Sequence, residues 1–137
     1  YYFSFSTTNT RSDSISGFHV PNESMSLILR ANARTMGRNK AYWADGSVTD
    51  STWYENDGIV NTISQYGPTT GANGADPIAE YRLDELLIPG QWYHIKTLNM
   101  DHKATLGHGL DDENDIKAML ELLDDHCNLL WSLPAQE

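Results

Sequence analysis

The residues best placed to do chemistry are an aspartate and a histidine on two separate polar loops. Asp57 closes the run Trp53-Tyr54-Glu55-Asn56 and is followed by Gly58, Ile59 and Val60. An Asp-Gly step suits a tight turn, because glycine tolerates positive φ and the carboxylate bonds nearby backbone. The aromatic pair before it and the aliphatic pair after it would bury such a turn from both sides. Asp57 is therefore expected to be a held, oriented carboxylate. His102 ends a second polar loop, Asn99-Met100-Asp101-His102, which follows an aromatic and aliphatic run. An acid and an imidazole on separate loops, in that order, fit the later two members of a Ser…Asp…His hydrolase triad. There the histidine takes the nucleophile's proton and delivers it to the leaving group, while the aspartate fixes its tautomer and stabilises its cation. By residue type alone, an Asp-Gly turn and an Asp-His loop are also ordinary surface features. Asp101 either orients its loop or is solvated.

Those two loops need elements to position them. Tyr1 to Thr7 alternates Tyr1, Phe3 and Phe5 against Tyr2, Ser4 and Ser6, which is the period of a strand. Thr8 to Pro21 reads as a polar loop. Asn22 can cap a helix running to about Met36, with Met25, Ile28, Leu29 and Met36 on one face and Gly37 as its stop. Arg38 to Asp50 is irregular, with Tyr42 and Trp43 as expected anchors, and a short helical turn around Ser51 to Tyr54 leads into the Asp57 loop. Gly67 to Pro77 has the composition of a surface excursion. Gln91 to Leu98 is a second strand, ending just before the His102 loop. From Asp112 to about Leu133, apolar residues at Ile116, Met119, Leu120, Leu123, Cys127, Leu130 and Trp131 predict a final helix with a wide buried stripe. Cys127, the only cysteine, is expected to be a buried small hydrophobe on that stripe.

Tyr54 to about Asp101 resembles the C-terminal part of the bacterial secreted triacylglycerol lipases of the staphylococcal and thermophilic Bacillus type, members of the α/β-hydrolase superfamily. The likeness is carried by Glu55-Asn56-Asp57-Gly58-Ile59-Val60-Asn61-Thr62, by Asp101-His102, and by Tyr1-Tyr2-Phe3-Ser4-Phe5-Ser6-Thr7 as a late core strand. It is weakest between about Ser12 and Ser51. The resemblance implies Asp57 as triad acid and His102 as triad base. It implies an α/β fold: residues 1–137 as the C-terminal portion of a single α/β-hydrolase domain, with late parallel strands, acid and base loops and a terminal helix, incomplete without an N-terminal half. It implies hydrolysis of carboxylic esters, with acylglycerols as the substrate class and secretion as the localisation.

The nucleophile does not occur within these residues. Such lipases present their serine in a Gly-x-Ser-x-Gly elbow, and although Ser14 and Ser16 precede Gly17, neither has a glycine two places before it. An acid and base without a nucleophile cannot carry acyl transfer by this route. The chain opens in mid-strand, without an initiator Met, a basic n-region or a cleavage-like site, so a longer parent polypeptide is expected. The alternative is a truncated or degenerate relative, not catalytic, that serves as a binding module.

Composition narrows the partners. At 137 residues, 39% hydrophobic and 10% aromatic, the chain is globular in character. A net charge of −10 argues against nucleic acid and anionic membrane surfaces, though not against an uncharged lipid. No apolar run is long enough for a transmembrane segment. No cofactor is required by the triad chemistry. A structural calcium near the catalytic histidine is implied by the resemblance, but its acidic ligand places fall on Ala104 and on Gly109 or Leu110 here. Asp111, Asp112, Glu113 and Asp115 could supply oxygens at shifted positions, or simply complement the start of a helix. A calcium-responsive interaction domain centred on them is a third reading. His19, His94, His108 and His126 show no zinc spacing and read as structural.

Overall fold

The computed structural model describes residues 1–68, 78–83, 85–110 and 113–133. They belong to two compact units, Tyr1–His102 and Lys103–Glu137. In the first unit, β1 (Tyr2–Thr7) is followed by a short hairpin of β2 (Thr10–Ser12) and β3 (His19–Pro21), then by α1 (Arg30–Met36), β4 (Ile78–Glu80) and β5 (Trp92–Leu98). Strands β1, β5 and β4 form a parallel sheet in that order, with β5 central. The register of β1 on β5 slips between Ser4 and Ser6, an irregularity that sets Ser6 opposite Thr97. Phe3 packs against Tyr93 and Tyr81 on one side of the sheet, while Tyr2 stacks on Trp92.

The hairpin replaces the loop expected between Thr8 and Pro21. Its tip is tied by Asp13, which donates its N–H to the Phe18 carbonyl and accepts from Ile15 N–H with its side chain. Strands of only three residues carry too little periodicity to be read in advance.

The helix expected from Asn22 begins only at Arg30, and the competing bonds explain why. Asn22 donates its N–H to the Asn9 carbonyl, and Ser26 donates its N–H to the Asp101 carboxylate. The segment between them turns without becoming regular helix. It nonetheless keeps helical spacing on its inner side, where Met25, Leu29 and Ala33 form a buried cluster. Of the other apolar positions expected on that face, Ile28 is exposed. Gly37 follows the helix because a Cβ there would lie 2.2 Å from the His19 carbonyl oxygen, whose residue donates its N–H back to Gly37. Tyr42 and Trp43 are exposed rather than anchoring, although Trp43 meets Trp53 edge-on.

In the second unit a 3-10 turn at Ala104–Leu106 precedes α2, Glu113–Ser132. The helix forms where the final amphipathic pattern predicts it, but a different line of residues is buried. Leu122 and Leu129 are buried, whereas Ile116, Leu120, Leu123, Leu130 and Trp131 are exposed. Cys127 is likewise exposed, correcting the expectation of a buried thiol. Among the described residues, no helix is long and apolar enough to cross a membrane.

Candidate active site

The Asp57 loop is built from its own polar side chains. A 3-10 turn at Ser51–Trp53, capped by the Asp50 carboxylate, delivers the chain into it. Asn56 and Asp57 are both fully buried, so each must satisfy its polar atoms internally. Asn56 does so completely. Its amide nitrogen donates to the Ala33 and Tyr54 carbonyls, its side-chain oxygen accepts from Gly58 N–H, and its backbone N–H donates to the Thr10 hydroxyl. The loop is thereby fixed to α1 and to β2. Gly58 sits at φ +96°, and a Cβ there would come within 2.8 Å of Leu29 Cβ, so only glycine lets the turn lie on the Met25–Leu29–Ala33 stripe.

The Asp57 carboxylate receives five donors. Oδ1 accepts the N–H groups of Ile59 at 2.9 Å and Val60 at 2.8 Å, from within the turn. Oδ2 accepts the Thr7 hydroxyl at 2.6 Å, Gln65 Nε2 at 3.3 Å and His102 Nδ1 at 2.9 Å. A carboxylate is acceptor-only, and every partner here is a donor. Bonds of this charge-assisted kind contribute about 1.5–3 kcal/mol each, which offsets the desolvation of a buried carboxylate.

His102 reaches this carboxylate because its loop is tied from three sides. Met100 and Asp101 are buried, the His102 N–H donates to the Asp57 carbonyl at 3.1 Å, and Asp101 Oδ2 accepts Ser26 N–H at 2.7 Å. Asp101 is thus the loop-orienting member of the two alternatives. The His102 side chain keeps 38% of its surface exposed, while its partner Asp57 keeps none. With Nδ1 donating to the carboxylate, a neutral imidazole carries its lone pair on Nε2, the atom a general base would use.

The sequence pattern brings out Asp57 and His102, and the structure places them in direct contact. It does not bring out Thr7, Gln65 or Ser26, whose types are common and whose partners are remote in the chain. Of the four other histidines, His94 accepts or donates to Ser6 Oγ at 3.0 Å and stacks on Tyr66, and His19 meets Thr10 Oγ1 at 3.2 Å. Burial pulls the pKa of both below the ordinary histidine value, with Glu80 opposing at His94 and Glu55 at His19. Asp111 and Asp112 lie outside the described residues, and Glu113 and Asp115 occupy the first turn of α2. Among the described residues, no group of three or more His, Cys, Asp or Glu side chains gathers as a metal site would require.

A parallel sheet feeding an aspartate loop and a histidine loop is part of an α/β architecture, and solved structures similar to this chain include two bacterial lipases and a protein named EstA. EstA from Clostridium botulinum superposes with a TM-score of 0.67 at 35% identity, covering 78% of this chain and 25% of its own. Lipase 1 from Pelosinus fermentans gives 0.67 at 27% identity over 98% of this chain and 33% of its own. The Staphylococcus hyicus lipase gives 0.71 at 19% identity over 94% of this chain and 30% of its own, a likeness of fold. No protein-family model matches. The chain therefore corresponds to part of the lipase fold, spanning between 25% and 33% of the length of these relatives.

Proposed function

We propose that this chain supplies the acid and base of a Ser-Asp-His triad in a carboxylic ester hydrolase of the lipase type, with the serine carried on a segment outside these residues. The observation that carries this reading is the Asp57 Oδ2 to His102 Nδ1 contact of 2.9 Å, on a carboxylate with no solvent exposure. Asp57 holds the imidazole with its proton on Nδ1. Nε2 then takes the serine proton as the hydroxyl attacks the ester carbonyl, and the resulting imidazolium is stabilised by the carboxylate. The leaving alkoxide receives that proton, and a water activated by His102 in the same way releases the acid from the acyl-serine. Acylglycerols are the proposed substrates, the remainder of the α/β-hydrolase fold is the proposed partner, and the mechanism needs no metal or cofactor.

A second reading has one specific observation in its favour: no Gly-x-Ser-x-Gly elbow occurs within the 137 residues. On that reading the chain is a non-catalytic relative acting as a binding module. Turnover of p-nitrophenyl butyrate and tributyrin by the natural polypeptide containing this chain separates the two. The lipase reading expects hydrolysis, labelling of one serine by an organophosphate, and a fall in kcat of about 10⁴-fold for Asp57→Asn, since the amide imposes the wrong tautomer. Hydrolysis that survives Asp57→Asn and His102→Ala unchanged would overturn the triad.

A further inference from the structure

We propose that Thr7 and Gln65 are positioning residues for the acid, holding the Asp57 oxygen that faces the imidazole. This inference rests on the reading of Asp57 and His102 as acid and base. The two carboxylate oxygens have partners of different origin. Oδ1 is fixed by backbone N–H groups of its own turn, Ile59 and Val60. Oδ2, the oxygen that meets His102, is fixed by side chains from two other elements, the end of β1 and the 3-10 turn at Thr62–Gln65.

The proton arrangement follows from counting donors. Thr7 Oγ1 lies 2.6 Å from Asp57 Oδ2 and 3.0 Å from Gln65 Oε1. A hydroxyl carries one proton, and Gln65 Oε1 already accepts the Thr7 N–H at 2.9 Å. The shorter, charge-assisted contact to the carboxylate therefore takes the hydroxyl proton. The orientation of the Gln65 amide is set by the same residue, because its Nε2 donates to the Thr7 carbonyl at 3.2 Å. With Oε1 and one Nε2 proton engaged on the Thr7 backbone, the second Nε2 proton is aimed at Asp57.

The strand geometry shows why this amide is available. Thr8 donates its N–H to the Leu98 carbonyl on β5, and successive strand residues turn their backbone groups to opposite sides. The N–H and C=O of Thr7 therefore face away from β5. The Gln65 amide, with help from the Thr62 hydroxyl on the Thr7 carbonyl at 2.9 Å, takes the place that a neighbouring strand would fill. One side chain thus closes the strand edge at the last residue of β1 and delivers an N–H to the acid.

Without these two donors Oδ2 keeps only the imidazole itself as a partner, and no side chain outside the pair fixes the angle at which the carboxylate meets the ring. That disturbs the tautomer and orientation of His102 while leaving untouched whatever binds the ester. The test uses Thr7→Val, which keeps the shape and removes the hydroxyl, Thr7→Ser, which keeps the hydroxyl, and Gln65→Leu, all in the natural polypeptide containing this chain. Thr7→Val is expected to lower kcat about tenfold with KM within about twofold, and Thr7→Ser to recover kcat to within about threefold of wild type. Gln65→Leu is expected to lower kcat severalfold. Ring ¹⁵N spectra of His102 supply a readout that needs no turnover: the share of neutral imidazole protonated on Nδ1 should fall in Thr7→Val and stay at the wild-type level in Thr7→Ser. Wild-type kcat and tautomer share in Thr7→Val would overturn the proposal, as would a Thr7→Ser variant as impaired as Thr7→Val. His102→Ala, measured alongside, separates the two levels. If it abolishes hydrolysis while Thr7→Val has no effect, only the positioning role falls. If it leaves hydrolysis intact, the triad itself falls.

Discussion

At the scale of single residues, Gly58 determines whether the acid can be held at all. Its neighbour Asp57 spends Oδ1 on the N–H groups of Ile59 and Val60, which requires the chain to reverse immediately after the aspartate. The reversal passes through φ +96° with Leu29 pressed against the glycine. Gly58→Ala therefore incurs backbone strain and a clash together, and is expected to destabilise the fold by about 1–3 kcal/mol in urea unfolding. A variant as stable as wild type would show that the turn can relax away from Leu29. The Asp-Gly step is legible in the sequence for this reason: it has one local physical cause. Thr7 and Gln65 have no such local cause. Each is an ordinary polar residue near the end of an element, and each gains its role only when β1 is brought beside the Asp57 turn. Asp101 is an intermediate case, since its burial depends on Ser26, a residue that no local pattern marks as its partner.

At the scale of elements, β1 is legible because its alternating aromatic residues have a strand's period, and β5 because Trp92, Tyr93, Ile95 and Leu98 make a short aromatic and aliphatic run. The late start of α1 is not, because backbone donors there are claimed by partners distant in the chain, and the β2–β3 hairpin is not, because its three-residue strands are too short to show a period. The irregular register of β1 on β5 has a consequence of its own. It brings Ser6 against both Thr97 and His94, and Tyr66 closes over the imidazole. Burial lowers the His94 pKa below its ordinary value of 6.5, with Glu80 pulling the other way. The unfolded chain then binds more protons than the folded one as pH falls below that value. The contribution of His94 is fully present above the unfolded pKa and is lost as pH falls toward the folded pKa. His19 acts in the same direction. Melting temperature is expected to drop between about pH 7.5 and pH 5.5, and the drop should be smaller in His94→Gln, which keeps a donor for Ser6 without a titrating ring. Equal drops in the two proteins would remove His94 as a source.

At the scale of the whole molecule, α2 carries two apolar lines with different surroundings. The line through Leu122 and Leu129 is buried, whereas Leu120, Leu123, Leu130 and Trp131 are exposed, Trp131 at 92%. The amphipathic pattern marks a helix with a wide apolar face, and residue types alone cannot distinguish a line that is covered from one that is not. The chain spans between 25% and 33% of the length of its lipase relatives, and on the proposed reading the remainder of such a fold supplies the cover. That gives the exposed line a measurable signature. Replacing Leu120 and Leu123 together by lysine should change the stability of this chain alone by no more than about 0.5 kcal/mol, the usual range for exposed positions. In the natural polypeptide containing the chain, the same pair would place two unpaired ammonium groups under packed structure. It should then cost about 3 kcal/mol or more in urea unfolding. A small effect in both settings would mean that the line faces solvent in the complete protein too. A large effect in the longer polypeptide alone would locate the cover on this side of the terminal helix.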